Sequence, residues 1–591
     1  MSDESRAPDL RESEGGFVLD EIDSGVTERA MDAAIEGGRG EVETIPRQAF
    51  EEAVLNDVIE HFETRYDPAE LGVPAPDATE IRGQWFDFSH FDGVEVVSWR
   101  WSIRPYSYTS IVYDPDENEH RYHVETPALS EFEQYVREDL TRTLRQDLMY
   151  IDLDADERRG DVFADEIGRV LDEHAAAVPP STLLRVVYYL RRDFVRYGKI
   201  DPLMHDPAIE DISCDGADVP LFVYHGAYQD LETNLAFSED RLDTFVTRLA
   251  QRSGKSLTAA DPLLDAGLPD GSRAQFTLGN DISLRGSTFT IRLFTEDPIT
   301  PPNLIEYGTF GLDQMAYLWL LVENGKSILF AGGTGSGKTT SLNAISYFIP
   351  PGNKIVSIED TPELRLPHQN WVRNVTRSSS IAEGQGAITM FDLLESALRQ
   401  RPEFLLVGEV RSNPQVAFTF FQAISTGHTA YTTFHADSAE SAMRRLENEP
   451  LNIPGQMIGS LDLISIQRQV RTGGERLRRN HRLVELTPDE EGSGVRTNDV
   501  FGRDPATDSF EQLAPSLLLD EIKYERGWDD ERLRQELSLR REVLRYMQRE
   551  GIDHHDDVGR VIHTFQRNRQ VVLSQIRNDT LDPQELYPWD E

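Results

Sequence analysis

Between residues 310 and 510 the apolar positions fall in short blocks rather than along a continuous helical stripe. The runs SILFA at 327–331, KIVSI at 354–358 and FLLV at 404–407 are short and rich in branched aliphatics, with helix-compatible stretches between them. Strands buried on both faces read this way, so the segment predicts an α/β domain with a parallel sheet. Upstream, WSIRPYSYTSIVYDPDENEHRYHVE predicts two strands around a turn at 114–118. A helix follows at 179–198, with Pro179-Pro180 and Ser181 at its start. Leu183, Leu184, Val187, Leu190 and Phe194 form its apolar stripe, and Gly198 stops it. The short runs ISCDG, LFVYHG, LPDGSRAQF and FTIRLF suggest a small α+β domain over 201–302, closed by Pro298, Pro301 and Pro302. The C-terminal stretch 513–591 predicts helices, with Leu533, Leu537, Leu544 and Met547 on one side and Gly551 closing.

Five regions result: a leader at 1–95, a strand-hairpin and helical N-terminal domain at 96–200, the α+β domain at 201–302, the α/β domain at 303–512, and the helical C-terminal region. The leader is read as acidic and largely disordered or loosely ordered, because its first 60 residues carry Asp or Glu at seventeen positions and Arg at five.

Charge narrows the picture. The chain has 104 Asp+Glu against 59 Lys+Arg, a formal −45. That balance argues against passive binding to nucleic acid, where phosphate neutralisation dominates. An acid-rich surface with six lysines suits strong salt, which shortens the Debye length to about 3 Å at 1 M; a halophilic cytoplasm is the expectation. Cys214 is the only cysteine, so neither an intramolecular disulfide nor a Cys-ligated structural zinc site can form. The longest apolar runs, such as 315–322, fall short of the ~20 residues that span a bilayer, and the first residues lack the features of a secretory signal.

The strongest chemical signal is Gly332-Gly333-Thr334-Gly335-Ser336-Gly337-Lys338-Thr339, set between a strand-like run and a helix-compatible one. In G-x-x-x-x-G-K-[ST] the glycines let successive N–H groups face phosphate oxygens. The lysine reaches the β- and γ-phosphates, and the hydroxyl of Thr339 ligates Mg²⁺. The next strands end in Glu359-Asp360 and in Gly408-Glu409. Strand carboxyl ends in a parallel sheet face the ligand crevice, so these acids are expected at the metal and the attacking water, with Glu409 as the general base. Beyond Glu409 lie Arg411 and, in Thr-rich stretches read as loops, His428 and His435, candidates to sense the γ-phosphate.

Together these residues resemble the secretion ATPases of type II and type IV systems, in the archaeal branch that powers pilus and archaellum assembly. The resemblance runs from about 185 to 470: GGTGSGKTT, which includes Thr340, matches the Walker A box, and IEDTPELRLPH the Asp box. LRQRPEFLLVGEVR matches Walker B and TGHTAYTTFHADS the His box. The resemblance implies a homohexamer in which an N-terminal domain and a RecA-like domain hold Mg²⁺ and ATP between them. It also implies arginines reaching the phosphates, at Arg273, Arg285 and Arg292, with Arg411 a further candidate. It implies a cytoplasmic ATPase that drives a pilin-like filament through a polytopic membrane platform protein. An archaellum motor is the nearest alternative, and a DNA translocase or conjugation ATPase a more distant one. The tetracysteine zinc element of many bacterial relatives is absent, and Ser412-Asn413 stands where archaeal relatives commonly have glycine.

Overall fold

The computed structural model describes residues 44–148, 163, 167, 169, 178–294, 298–377, 386–472, 475–488 and 494–586. They fall into two compact units. The first holds the chain to Ala250 with Leu257–Leu264 and Gln275–Leu293; the second holds Gln251–Ser256, Asp265–Ala274 and everything from Phe294.

Alternating residues build the first sheet. Its strands are β1 (Glu95–Ile103), β2 (Ser107–Asp114), β3 (Glu119–Glu125), β4 (Ile209–Cys214), β5 (Pro220–His225), β6 (Gln229–Ala236), β7 (Leu263–Gly267), β8 (Arg273–Thr277) and β9 (Thr288–Arg292). They are ordered β1-β2-β3-β6-β5-β4-β9-β8-β7. The expected hairpin is β2 and β3, but the run before its turn is split at Arg104-Pro105, where proline cannot donate to a ladder. Residues 1–43 of the expected leader lie outside the described residues; residues 44–95 hold helices and the start of β1, in place of the expected loosely ordered segment. The helix Arg47–Thr64 buries Phe50, Val54, Val58 and Phe62 in a core with Trp85 and Tyr108. The i, i+4 spacing of those four apolar residues is the reason, because it gives an otherwise charged helix one continuous buried stripe. The helix Pro180–Phe194 joins the same core, and its buried Arg185 is neutralised by Glu133 and donates to the carbonyls of Gln84 (2.7 Å) and Ala128 (2.5 Å).

The second unit is built on β10 (Ile328–Gly332), β11 (Ile355–Glu359), β12 (Trp371–Val375), β13 (Phe404–Glu409), β14 (Thr429–Phe434), β15 (Leu463–Thr472), β16 (Glu475–Pro488), β17 (Val495–Asp504) and β18 (Ser509–Gln512). Their order is β12-β11-β13-β14-β10-β15-β16-β17-β18. The first six are parallel, and the last three extend the sheet as an antiparallel meander. Alternate residues enter opposite cores. Ile328, Phe330, Leu406 and Tyr431 face one layer, while Leu329, Ala331, Leu405 and Val407 face the other. Both faces are therefore covered, which is why the parallel strands read as unbroken apolar runs. This is an α/β, RecA-like P-loop arrangement. The helices Asp530–Arg549 and His555–Asn578 contribute Val543, Leu544, Met547, Val561, Ile562 and Phe565 to the first of these cores, alongside Trp319 and Phe348. Among the described residues no helix is long and apolar enough to cross a membrane.

Candidate nucleotide site

β10 ends at Gly332 and the helix Lys338–Ser346 begins after Gly337, so the glycine-rich loop spans a strand end and a helix N-terminus. Gly335 (φ 68°) and Gly337 (φ 86°) take left-handed backbone that other residues resist. A Cβ on Gly332 would lie 2.4 Å from both the Gln467 carbonyl oxygen and Ser336 Oγ, so the close packing there also demands glycine. Lys338 Nζ (2.7 Å) and Ser336 Oγ (2.8 Å) both donate to the Gly333 carbonyl. Gln469 Nε2 (2.9 Å) and Arg478 Nε (3.1 Å) donate to the Gly335 carbonyl. Thr334 is exposed, and Thr339 and Thr340 are half-buried in the helix's first turn.

The acidic residues arrive on neighbouring strands, since β11 pairs with β13. Glu359 is buried, and its Oε1 accepts from the N–H groups of Glu363 (2.8 Å) and Leu364 (2.9 Å). Burial pushes its carboxyl up to about 7, against the pull of those two N–H groups. Asp360 is more exposed and accepts from Thr376 Oγ1 at 3.1 Å. Gly408 is skipped in the β13–β14 register, where Val407 pairs with Thr432 and Glu409 with Thr433. Such a bulge re-aims the following side chain. Thr433 Oγ1 donates to the Gly408 carbonyl (2.7 Å) and holds the bulge.

The bulge brings Glu409 between two basic groups. Arg411 Nε donates to its Oε2 (2.8 Å), and His435 Nε2 lies 3.0 Å from its Oε1. The carboxylate raises the Arg411 pKa. Partial burial, then the positive Lys338, hold His435 below the usual imidazole value despite the opposing pull of Glu409. A carboxylate held this way at a sheet's ligand end can orient and deprotonate a water.

His428 does not join this group. It precedes β14, whose residues Thr429–Phe434 separate it from His435 by about 20 Å of strand at ~3.3 Å per residue. The Thr-rich stretch expected to be loop is instead a strand parallel to β10, with Ala331 opposite Phe434. His428 consequently sits at the sheet's far end, its Nδ1 3.3 Å from the Ala423 carbonyl. Asn413 caps the helix Pro414–Ser425 by accepting from the N–H groups of Gln415 (3.0 Å) and Val416 (3.3 Å).

Of the three upstream arginines, Arg273 begins β8 on the Asp265–Ala274 segment that counts with the second unit. Arg285 and Arg292 belong to the first. The Arg285 carbonyl accepts from the Ala217 N–H (2.8 Å). Arg292 lies opposite Asp211 on β4, with Nε 3.0 Å from Oδ1, a cross-strand ion pair.

Among the described residues no group of three or more His, Cys, Asp or Glu forms a ready-made metal cage. Mg²⁺ keeps several waters and takes one or two protein oxygens beside substrate phosphates. The Thr339 hydroxyl and the strand-end carboxylates are hard oxygen donors of the required kind.

Gln469 and Arg478 were not singled out by sequence reasoning. The signal was the run RQVRTGGERLRRNHR, strongly basic in an acidic chain.

The type II/IV secretion system protein family matches residues 221–502, and the PilB3-like, N-terminal family matches 75–128. The chain is 38% identical over 394 residues to an uncharacterized protein of Methanocaldococcus jannaschii, covering 66% of this chain and 71% of that one. It is 35% identical over 234 residues to the type IV secretion system protein PtlH of Bordetella pertussis, covering 36% and 68%. The solved structure of the pilus retraction motor PilT with bound ADP aligns over 64% of this chain and 95% of that one, at 20% identity and a TM-score of 0.33. The chain belongs to the type II/IV secretion system protein family and has archaeal relatives.

Proposed function

We propose that this chain hydrolyses Mg·ATP and, as a homohexamer on the cytoplasmic face of the membrane, drives assembly of a type IV pilus-like filament through a polytopic platform protein. The observation that carries the reading is the meeting of the glycine-rich loop with Glu409 and His435 at one end of a parallel sheet. Family membership supports the chemistry, and the similarity to PtlH, a type IV secretion system protein, supports a secretion setting.

In this reading the loop N–H groups and Lys338 bind the β- and γ-phosphates, and Thr334 and Thr340 flank them. Glu409 takes the proton of the attacking water, and His435 orients that water or reports the γ-phosphate. Bound Mg²⁺ would neutralise charge on the phosphates, with Thr339, Glu409 and Asp360 as its direct or water-bridged partners; Glu359, expected there from its strand-end position, is buried on two backbone N–H groups and is left out of that set. Arg273 and Arg285 are assigned to transition-state charge, where a planar guanidinium is effective, and Arg411 to orienting Glu409. Arg292 is assigned to nucleotide binding, in competition with Asp211. His428, at the far end of the sheet, would serve a phosphate only on another subunit.

The test is deletion in the host, complemented with the wild-type or Lys338→Ala chain, followed by microscopy for filaments, adhesion and swimming. Loss of filaments and adhesion restored only by the wild-type chain supports the pilus reading. Loss of swimming alone selects the archaellum motor. Hydrolysis stimulated by DNA would select the translocase reading. The acidic composition supports a halophilic cytoplasm, and a chain fully folded and active at ~0.1 M salt, where screening extends about 10 Å, would contradict it.

A further inference from the structure

β15 and β16 do not stop where the sheet does. Gly332, the last residue of β10, pairs with Gln467, and β15 then runs on to Thr472 with β16 antiparallel beside it. This overhang lies at the end of the sheet that carries the glycine-rich loop. It places Arg468 opposite Arg479 and Arg471 opposite Arg476. Like charges directly opposite destabilise a sheet, so ladder stability does not explain them. Between those pairs, Gln469 and Arg478 are opposite one another, and both donate to a single atom, the Gly335 carbonyl oxygen. The fit there is close: a Cβ on Gly335 would lie 2.9 Å from Gln469 Nε2.

A trans peptide points its C=O and its N–H in opposite directions. Fixing the Gly335 carbonyl on the hairpin therefore aims the Ser336 N–H away from it. On the other side of that peptide, Ser336 Oγ and Lys338 Nζ fix the Gly333 carbonyl and so aim the Thr334 N–H. Two N–H groups that would otherwise need ordering on binding are held in advance.

We propose that the β15–β16 hairpin is a strap on the phosphate loop, and that Gln469 and Arg478 are positioning residues that orient the Ser336 N–H toward a nucleotide phosphate. The inference rests on the nucleotide reading above. The strap sets affinity for the diphosphate and triphosphate alike, because it orders the loop before any γ-phosphate is present. It leaves the rate at saturation nearly untouched.

The test is titration of the full-length wild-type, Gln469→Ala, Arg478→Ala, Arg478→Lys and Arg476→Ala chains with Mg·ADP, together with KM and kcat for Mg·ATP. Each lost hydrogen bond is expected to weaken Kd and KM about three- to tenfold, with kcat changed less than about twofold. Arg478→Lys, which keeps a donor of similar reach, should stay near wild type. Arg476→Ala removes the same charge two residues away, and it should leave Kd unchanged. Unchanged affinity in both Gln469→Ala and Arg478→Ala, beside a wild-type chain that binds, overturns the strap. So does an equal loss in Arg476→Ala, which would make the effect one of net charge. No binding by the wild-type chain would overturn the nucleotide reading itself, and the strap with it.

Discussion

Glu359 and Glu409 end adjacent parallel strands, yet their surroundings differ in every respect that matters for chemistry. Glu359 is sealed in, gives one oxygen to two backbone N–H groups, and is pushed toward its neutral form by burial. Glu409 sits on a bulge, partly exposed, between Arg411 and His435. The first is built to shape the segment after β11, and the second to meet solvent and ligand. Position at a strand end therefore does not assign a role; the oxygens already engaged and the access of water do.

The largest effect should come from removing the lysine of the glycine-rich loop. Lys338→Ala should cut turnover by at least ~10²–10³-fold, the scale of a lost preorganised charge, with the circular dichroism spectrum unchanged. Turnover near the parent rate would remove the phosphate site from the comparison altogether.

Glu359→Ala should unfold more readily, by about 2–4 kcal/mol, since it strands the buried Leu364 N–H and the partly buried Glu363 N–H and leaves a cavity. Denaturant titration measures this. A loss below ~1 kcal/mol would mean the Glu363 and Leu364 N–H groups find other partners.

The pH dependence sharpens the contrast. The folded Glu359 carboxyl lies near 7 against an ordinary 4.5, so between those values the folded chain holds a proton the unfolded chain has lost. This contribution is complete below pH 4.5 and is lost as pH rises through 7. At about 1.4 kcal/mol per pH unit, the interval from 4.5 to about 7 amounts to on the order of 3–4 kcal/mol. Melting at pH 5 and 7.5 should show wild type losing more stability than Glu359→Gln across that interval, and parallel curves would contradict it.

The smallest effect is expected from Arg411→Ala. The half-exposed pair with Glu409 is screened by solvent, so kcat should fall about three- to tenfold while Kd for Mg·ADP holds. A fall near 10³ would move Arg411 from orienting Glu409 to stabilising the transition state.

The parallel half of the second sheet was legible because burial on both faces leaves uninterrupted apolar runs. SILFA, KIVSI and FLLV became β10, β11 and β13 with shifts of one or two residues. The antiparallel arm was not legible in the same way. Its charged strands face solvent on one side, and the contact of Arg478 with the loop depends on register, which spacing along one chain does not reveal. The placement of His428 failed for a related reason, since Thr-rich TAYTTF serves equally as loop or strand until its neighbours are known. The different fates of Glu359 and Glu409 rest on a single-residue bulge that the Gly-Glu dipeptide permits but does not require.

The most direct test of the division of roles is hydrolysis and binding of Mg·ATP by Glu409→Gln and Glu359→Gln in parallel. Glu409→Gln should bind with wild-type affinity and turn over at least ~10²-fold more slowly, as expected for loss of a general base. Glu359→Gln, which keeps the oxygen that accepts from Glu363 and Leu364, should retain turnover within about tenfold of wild type at pH 7, where its carboxyl is already half neutral. The reverse pattern, with Glu409→Gln active and Glu359→Gln inactive yet folded, would contradict the account and make Glu359 the residue that acts on water.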